Sequence, residues 1–185
     1  MKLGFYGGTF DPIHNGHLIL ARDAVETLKL DRLYFIPNSI SPHKCTAEPS
    51  PAAVRGEMVR AAIEGEPKFE LNPSELDRRG ISYTIDTIVA MRETFGGDTQ
   101  FFYLIGRDNV ADLATWRRIE ELHRLVTFVV LTRSEAADPL PYLPLHRRID
   151  ISATEIRKRV ANGLSIRYLV PEKVRDLIYS HSLYR

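Results

Sequence analysis

Two histidines three residues apart follow a glycine pair near the start of the chain, in the string Gly7-Gly8-Thr9-Phe10-Asp11-Pro12-Ile13-His14-Asn15-Gly16-His17-Leu18. A glycine pair after a strand lets the backbone approach an anion closely, and the start of a helix presents unpaired N–H groups to it. Residues three apart share one face of a helix, so the two imidazoles would lie together. The pattern is as consistent with a polyphosphate site as with a tight turn that carries two structural histidines.

The segments around this string alternate between predicted strands and predicted helices. Apolar runs predict strands at residues 2–6, 33–36, 69–71, 100–105 and 126–132. Helical spacing, with Ser50, Thr84 and Ser152 as expected N-caps, predicts helices at about residues 15–28, 50–63, 84–94, 116–122 and 152–161, and a last one from Pro171. The alternation predicts an α/β fold with a Rossmann-like, mostly parallel sheet and helices on both faces.

The same alternation predicts where a ligand would bind. In parallel α/β sheets, ligands bind beyond the carboxyl ends of the strands, at the point where the strand order reverses. Residues 7–17 and 106–108 follow two predicted strands, so we expect them to meet at such a point. Residues 38–49, 72–82 and 134–147 are predicted to be irregular, and the first of these segments to be a mobile loop.

Length and composition narrow the classes of protein further. A chain of 185 residues with 44% hydrophobic residues can bury a core without disulfides or metals, and we expect one domain with a small C-terminal helical part from about residue 151. A net charge of +1 lacks the basic footprint of a nucleic-acid binder. Cys45 has no second cysteine to pair with, and no apolar run approaches the roughly 18 residues that a membrane span requires. We therefore expect a cytoplasmic protein that binds neither nucleic acid nor membrane.

The first string resembles the His-x-Gly-His signature of the nucleotidyltransferase superfamily, and in its full length it resembles bacterial nicotinate mononucleotide adenylyltransferases. Further segments match that family in the order in which the family has them: Pro42-His43-Lys44, Ser82-Tyr83-Thr84-Ile85-Asp86-Thr87, Gly106-Arg107-Asp108, Trp116, Ile151-Ser152-Ala153-Thr154-Glu155-Ile156-Arg157 and Arg167-Tyr168-Leu169-Val170-Pro171. Two positions depart from the family pattern, since Ser41 replaces a proline and Ala153 replaces a serine.

The resemblance implies an enzyme that transfers the adenylyl group of ATP to nicotinate mononucleotide in NAD biosynthesis. The products would be nicotinate adenine dinucleotide and pyrophosphate. Such a transfer depends on positioning and on electrostatic stabilisation, and the attacking phosphate oxygen is already anionic, so no general base is required. Mg²⁺ is expected to arrive with ATP, held mainly by phosphate oxygens and water, with no metal site made of protein side chains.

The resemblance also implies roles for particular residues toward ATP. His17 would contact the α-phosphate and the leaving bridge oxygen, with His14 beside it and Lys44 approaching from its loop. Thr154 and Arg157 would hold the β- and γ-phosphates, because a guanidinium makes forked contacts with phosphate oxygens. The other expected ATP contacts are Gly8, Thr9, Phe10, Gly106, Asp108 and Ser152.

Toward the mononucleotide, the resemblance implies that Trp116 stacks on the pyridine ring. N–H groups at Tyr83 and Thr84 would receive the nicotinate carboxylate. Structural roles stay open beside these, since Trp116 is also consistent with a core aromatic, Asp108 with a turn residue and Ser152 with a plain helix cap.

Other functions remain open at this point. A nicotinamide mononucleotide or phosphopantetheine adenylyltransferase would share the His-x-Gly-His motif, and a non-catalytic nucleotide sensor would keep the binding residues but lose His17 or Arg157. A tRNA-charging enzyme is disfavoured because 185 residues leave no room for an anticodon-binding domain.

Overall fold

The computed structural model describes residues 1–38, 49–78, 82–132 and 141–185. Its strands are β1 (Lys2–Gly8), β2 (Arg32–Pro37), β3 (Phe69–Leu71), β4 (Gln100–Gly106), β5 (Thr127–Thr132) and β6 (Leu143–His146). Its helices are α1 (Asn15–Leu28), α2 (Ala52–Ile63), α3 (Ser74–Asp77), α4 (Thr84–Phe95), α5 (Ile119–Leu125), α6 (Ala153–Ala161) and α7 (Glu172–Ser180), with 3₁₀ turns at Arg107–Asn109 and Leu113–Thr115.

The strands form one sheet in the order β3-β2-β1-β4-β5-β6, and each pair of neighbours is parallel. This is the strand order of a Rossmann fold, so the predicted fold class is confirmed. β1 pairs with β2 on one side and with β4 on the other. The order of the strands therefore reverses between β1 and β4, and the carboxyl ends of these two strands open the cleft described below.

Alternating side chains of the strands build a core on each face of the sheet. Along β1, Tyr6 packs on the face covered by α1, α2, α6 and α7, whereas Leu3 and Phe5 pack on the face covered by α4 and α5. The period of two along a strand sends neighbouring residues to opposite faces. Both cores consist of fully buried aliphatic and aromatic side chains, which is why the strands appear in the sequence as continuous apolar runs.

One predicted helix cap is confirmed, and a second helix ends at a glycine. The Ser152 hydroxyl caps α6 by accepting a hydrogen bond from the Glu155 N–H at 3.1 Å. Gly96 ends α4 with a φ of 78°, a conformation that glycine adopts without steric cost.

Other predicted boundaries were wrong. Ser50 is not the N-cap of α2, because Pro51 holds that position without a side-chain hydrogen bond. Thr84 is the first residue of α4 rather than its cap, which is Tyr83. The helix predicted at 116–122 begins only at Ile119, since Arg118 has a left-handed backbone with a φ of 54°.

Two elements arise in segments predicted to be irregular, α3 within residues 72–82 and β6 within residues 134–147. The predictions for Pro42-His43-Lys44, the role of Lys44 among them, and for mobility of the loop at 38–49 fall on residues 39–48, outside the described residues. The expected division into one domain with a C-terminal helical part stays a prediction. No helix in the described ranges is long and apolar enough to cross a membrane.

Candidate active site

Glycines at the ends of β1 and β4 bring the backbone close to neighbouring side chains. A Cβ atom on Gly7 would lie 2.2 Å from the Tyr103 hydroxyl oxygen, and one on Gly106 would lie 2.4 Å from Asp108 Oδ1. Neither position admits a larger residue without displacing its neighbour. At both strand ends the floor of the cleft therefore consists of glycine backbone without a side chain. Such backbone allows N–H groups to approach a phosphate closely.

His14 and His17 cap the start of α1 for each other. His14 Nδ1 accepts a hydrogen bond from the His17 N–H at 3.3 Å, and His17 Nδ1 accepts one from the His14 N–H at 3.2 Å. The two rings stack with centroids 3.7 Å apart and planes 21° apart. Because each Nδ1 is an acceptor, the proton of the neutral ring lies on Nε2, so each imidazole can donate from Nε2 to an anionic oxygen.

The predicted ATP residues line one cleft of about 1190 Å³. All predicted contacts in the described part of the chain lie on its wall: Gly8, Thr9, Phe10, His14, His17, Gly106, Asp108, Ser152, Thr154 and Arg157. These residues come from the ends of β1 and β4 and from the first turns of α1 and α6. The cleft is large enough for a nucleoside triphosphate, since typical ligand sites measure about 300–1,000 Å³.

Arg157 connects α6 to the loop after β1. Its Nη1 donates to the Asp11 carbonyl oxygen at 2.7 Å, and its Nη2 donates to Thr154 Oγ1 at 3.3 Å. The guanidinium is thus held beside the first turn of α6, whose N–H groups begin at the same wall of the cleft. A fixed guanidinium and a helix N-terminus together favour a polyanion.

A second pocket of about 360 Å³ adjoins the first and is lined by Tyr83, Thr84 and Trp116, the residues predicted for the mononucleotide. The first turn of α4 opens onto it and has no side-chain cap. Trp116 is half-buried, with its ring edge-on to Tyr103 at a centroid distance of 6.0 Å. Among the residues that the structure describes, the two pockets share five on their walls: Gly7, Gly8, Thr9, Asn38 and Asn109. Ligands in the two pockets would therefore meet above the end of β1.

The buried Arg55 side chain holds the loops at the place where the two pockets meet. This role was not predicted from the sequence. The residue is 1% exposed. Its Nη1 donates to the carbonyl oxygens of Thr9 and Asn38, each at 2.7 Å, and its Nε donates to that of Ser50 at 2.9 Å. Burial lowers the pKa of Arg55, and the nearby Asp11 carboxylate opposes that change. An arginine in an amphipathic helix predicts an exposed side chain, so only the tertiary structure reveals this role.

Glu75 lies under the smaller pocket and was also missed as a site residue. It is 5% exposed; its Oε1 accepts from the Thr87 hydroxyl at 2.8 Å, and its carbonyl accepts from the Ser82 hydroxyl at 3.2 Å. These bonds hold the segment that enters α4. Burial raises the pKa of Glu75, while the hydrogen bond from Thr87 and the charge of Arg78 lower it and the charge of Asp86 raises it.

We expect Glu75→Gln to change how stability depends on pH. The folded pKa of Glu75 is raised above its ordinary value of 4.5, so the folded state binds this proton more tightly than the unfolded state. The wild type should therefore lose free energy of unfolding as pH rises from 4.5 through the folded pKa. Glutamine accepts the same Thr87 hydrogen bond but does not ionise, so this part of the loss should disappear.

Urea unfolding between about pH 4.5 and 8 measures the difference in the free energy of unfolding. Exposed Glu93→Gln is the matched control, and equal pH slopes in all three proteins would contradict the account.

The geometry defines a class of protein, a nucleotide-binding α/β protein whose cleft lies at the switch point of a parallel sheet. Comparison with known proteins identifies the family. The family model described as cytidylyltransferase-like matches residues 5–159. A protein of Thermus thermophilus named "Probable nicotinate-nucleotide adenylyltransferase" is 43% identical, over 100% of both chains. One of Geobacillus thermodenitrificans with the same name is 42% identical, over 99% of this chain and 86% of its own.

A solved structure has the same fold. The nicotinic acid mononucleotide adenylyltransferase of Plasmodium falciparum, complexed with NaAD, superposes with a TM-score of 0.76 at 20% identity, over 99% of this chain and 97% of its own. The chain belongs to the cytidylyltransferase-like family and, within it, to the nicotinate-nucleotide adenylyltransferases.

Proposed function

We propose that the protein is an enzyme that transfers the adenylyl group of ATP to nicotinate mononucleotide, producing nicotinate adenine dinucleotide and pyrophosphate for NAD biosynthesis. The observation that carries this proposal is the pair of adjoining pockets that share Gly8 and Thr9. A triphosphate in the larger pocket and a mononucleotide in the smaller one would bring the α-phosphorus and the attacking phosphate oxygen together there. The names of the relatives at about 42% identity support the same reaction.

ATP would occupy the larger cleft with its triphosphate across the first turns of α1 and α6. His17 and His14 donate from Nε2 to the phosphates, and Thr154 and Arg157 hold the β- and γ-phosphates. Backbone N–H groups at Gly8 and Thr9 add phosphate contacts, and Asp108 accepts from the ribose beside Gly106. Phe10 and the helix cap Ser152 also line this cleft.

Nicotinate mononucleotide would occupy the smaller pocket. The pyridine ring stacks on Trp116, and its carboxylate accepts from backbone N–H groups around Tyr83 and Thr84 at the uncapped start of α4. A carboxylate satisfies such donors on both oxygens, whereas the NH₂ of the amide would face donors and lack an acceptor. This is the physical reason to expect the acid to be preferred over nicotinamide mononucleotide.

The reaction needs no residue that forms a covalent bond. A phosphate oxygen of the mononucleotide attacks the α-phosphorus, the bond from that phosphorus to the bridging oxygen breaks, and pyrophosphate leaves with the electron pair. Charge grows on the bridging oxygen as the bond breaks. His17 would donate from Nε2 to that charge, and Arg157 to the leaving pyrophosphate, so both would stabilise the transition state electrostatically.

A divalent metal would enter with the nucleotide. Among the described residues, no three His, Cys, Asp or Glu side chains come together in a group that could hold a metal ion. The cleft carries an exposed carboxylate at Asp108, but its strongest donors are cationic or N–H groups that suit phosphate. We propose Mg²⁺, coordinated mainly by phosphate oxygens and water, which would neutralise part of the triphosphate charge.

Specific features of the site disfavour two alternative functions. Phosphopantetheine would leave the uncapped α4 terminus without an anion to bind. A non-catalytic sensor would not need the stacked His14–His17 pair in the same cleft as Arg157. A cytoplasmic location and the lack of nucleic-acid or membrane binding stay predictions.

The proposal is tested by measuring pyrophosphate release with ATP, Mg²⁺ and one of three acceptors, nicotinate mononucleotide, nicotinamide mononucleotide or phosphopantetheine. We expect kcat/KM for the acid to exceed that for the amide by about tenfold or more, which corresponds to about 1.4 kcal/mol. Release with phosphopantetheine alone would overturn the acceptor. ATP binding without release for any acceptor would favour the sensor.

A further inference from the structure

Asp11 connects four separate segments at the wall of the ATP cleft. Its Oδ1 accepts from the Tyr184 hydroxyl at 2.6 Å, its Oδ2 from the Ser50 N–H at 3.2 Å, and its carbonyl from Arg157 Nη1 at 2.7 Å. The residue is 8% exposed. A buried carboxylate that loses a partner is left with an unsatisfied charge, so its position depends on all of these bonds.

Tyr184 reaches this carboxylate from the segment that follows α7. Two residues there, Ser182 and Tyr184, have left-handed backbones with φ of 52° and 63°, which non-glycine residues adopt uncommonly. The Leu183 N–H donates to the Ile178 carbonyl oxygen at 3.0 Å, and Leu183 and Tyr184 pack against the core beneath the cleft. The turn thus brings the Tyr184 side chain back to the wall of the ATP cleft.

The hydroxyl remains a donor at physiological pH. Burial raises the pKa of Tyr184, and the hydrogen bond to Asp11 raises it further, which together outweigh the lowering effects of the Ser50 hydrogen bond and the Arg157 charge. A hydrogen bond from a neutral hydroxyl to a carboxylate is shorter and stronger than one between neutral groups, in agreement with the 2.6 Å separation. The contact therefore restrains Asp11 in the protonation state that Tyr184 has at physiological pH.

We propose that Tyr184 is a positioning residue of the ATP cleft. Its hydroxyl fixes Asp11, and Asp11 in turn fixes the Arg157 guanidinium and the phosphate-binding loop between Thr9 and His14. The proposal rests on the proposed function, which places ATP in this cleft. Tyr184 does not line the smaller pocket, so its influence should fall on one substrate only.

The variant that tests this role is Tyr184→Phe, which removes the hydroxyl and keeps the ring. We expect the Kd for a non-hydrolysable ATP analogue, measured by calorimetry without any mononucleotide, to rise about fivefold to tenfold. This is the scale of a typical net hydrogen-bond contribution and lies below that of a direct bond to charged phosphate, because Tyr184 acts through Asp11. KM for ATP should rise by the same factor, while KM for nicotinate mononucleotide should change less than about twofold. Tyr179→Phe, at an exposed tyrosine on α7, is the matched control and should behave as the wild type.

A second pair of variants separates action through Asp11 from direct contact with ATP. In an Asp11→Ala background, Tyr184→Phe should cause no further loss of analogue affinity, because the two residues act as one unit. Full additivity of the two effects, equal changes in both KM values, or an unchanged Kd in Tyr184→Phe would each overturn the proposal. The analogue titration contains no acceptor, so its Kd does not depend on which mononucleotide the enzyme uses. If nicotinate mononucleotide is not the acceptor, only the turnover measurements would fail, and the effect of Tyr184→Phe on ATP binding could still be interpreted.

Discussion

Replacement of His17 by alanine is expected to lower kcat by about a hundredfold to a thousandfold, the cost of removing one preorganised donor to developing charge. The Kd for ATP should change by less than about threefold, because charge on the bridging oxygen develops in the transition state and not in the bound substrate. Initial rates of pyrophosphate release and calorimetric titration with an ATP analogue measure the two quantities separately.

The capping role of His17 requires a second variant. His17 Nδ1 also accepts from the His14 N–H, so alanine removes a helix cap together with the donor. His17→Asn keeps an acceptor for that N–H but does not extend to the position of Nε2, and it should lose kcat nearly as severely as alanine. His181→Ala, which alters an exposed imidazole outside the cleft, should retain full turnover. Equal losses in ATP binding and in turnover would show that His17 acts only by holding the helix.

Replacement of Arg157 by alanine is expected to raise both the Kd and the KM for ATP by about tenfold to a hundredfold, since hydrogen bonds to charged groups contribute about 1.5–3 kcal/mol. Two effects act in the same direction. The β- and γ-phosphates lose a forked donor, and the Asp11 carbonyl loses the bond that holds the loop after β1. Calorimetry with the ATP analogue and initial rates at varied ATP concentration give the two constants.

Arg157→Lys should recover only part of this loss, because an ammonium group cannot make the forked contact and hold the Asp11 carbonyl at once. Lys158→Ala is the matched control, since it removes an exposed cation from the neighbouring position of the same helix. A loss confined to KM for the mononucleotide, or full activity in the lysine variant, would contradict the assignment of Arg157 to the triphosphate.

Most of the sheet was predictable because five of its described strands contain short apolar runs, three of which end at glycine or proline. β1 ends at Gly7-Gly8 and β2 at Pro37, and the helices between strands carry apolar residues at helical spacing. β6 was not predictable in the same way. Among the described strands it lies at the edge of the sheet and pairs with β5 alone. Pro144 within it is tolerated because the strand is at an edge, so its sequence has the composition of a loop.

Residues of the candidate site could be predicted where they lie close together in the sequence. Residues that reach the site through contacts between distant segments could not be predicted. His14 is the N-cap of α1 and His17 lies in its first turn, and Thr154 and Arg157 are three residues apart on α6. Tyr184 reaches Asp11 across 173 positions, a separation over which no local spacing rule operates. Arg55 and Tyr184 act through contacts set by the tertiary fold, so their roles become visible only in three dimensions.

The adenylyl group is expected to pass directly from ATP to the mononucleotide where the two pockets meet. The direct test uses one diastereomer of ATP in which sulfur replaces a non-bridging α-oxygen, with nicotinate mononucleotide as acceptor and phosphorus NMR of the dinucleotide formed. A single in-line displacement predicts inversion of configuration at the α-phosphorus. Retention would mean two successive displacements through an adenylylated side chain such as His17, and would contradict the account.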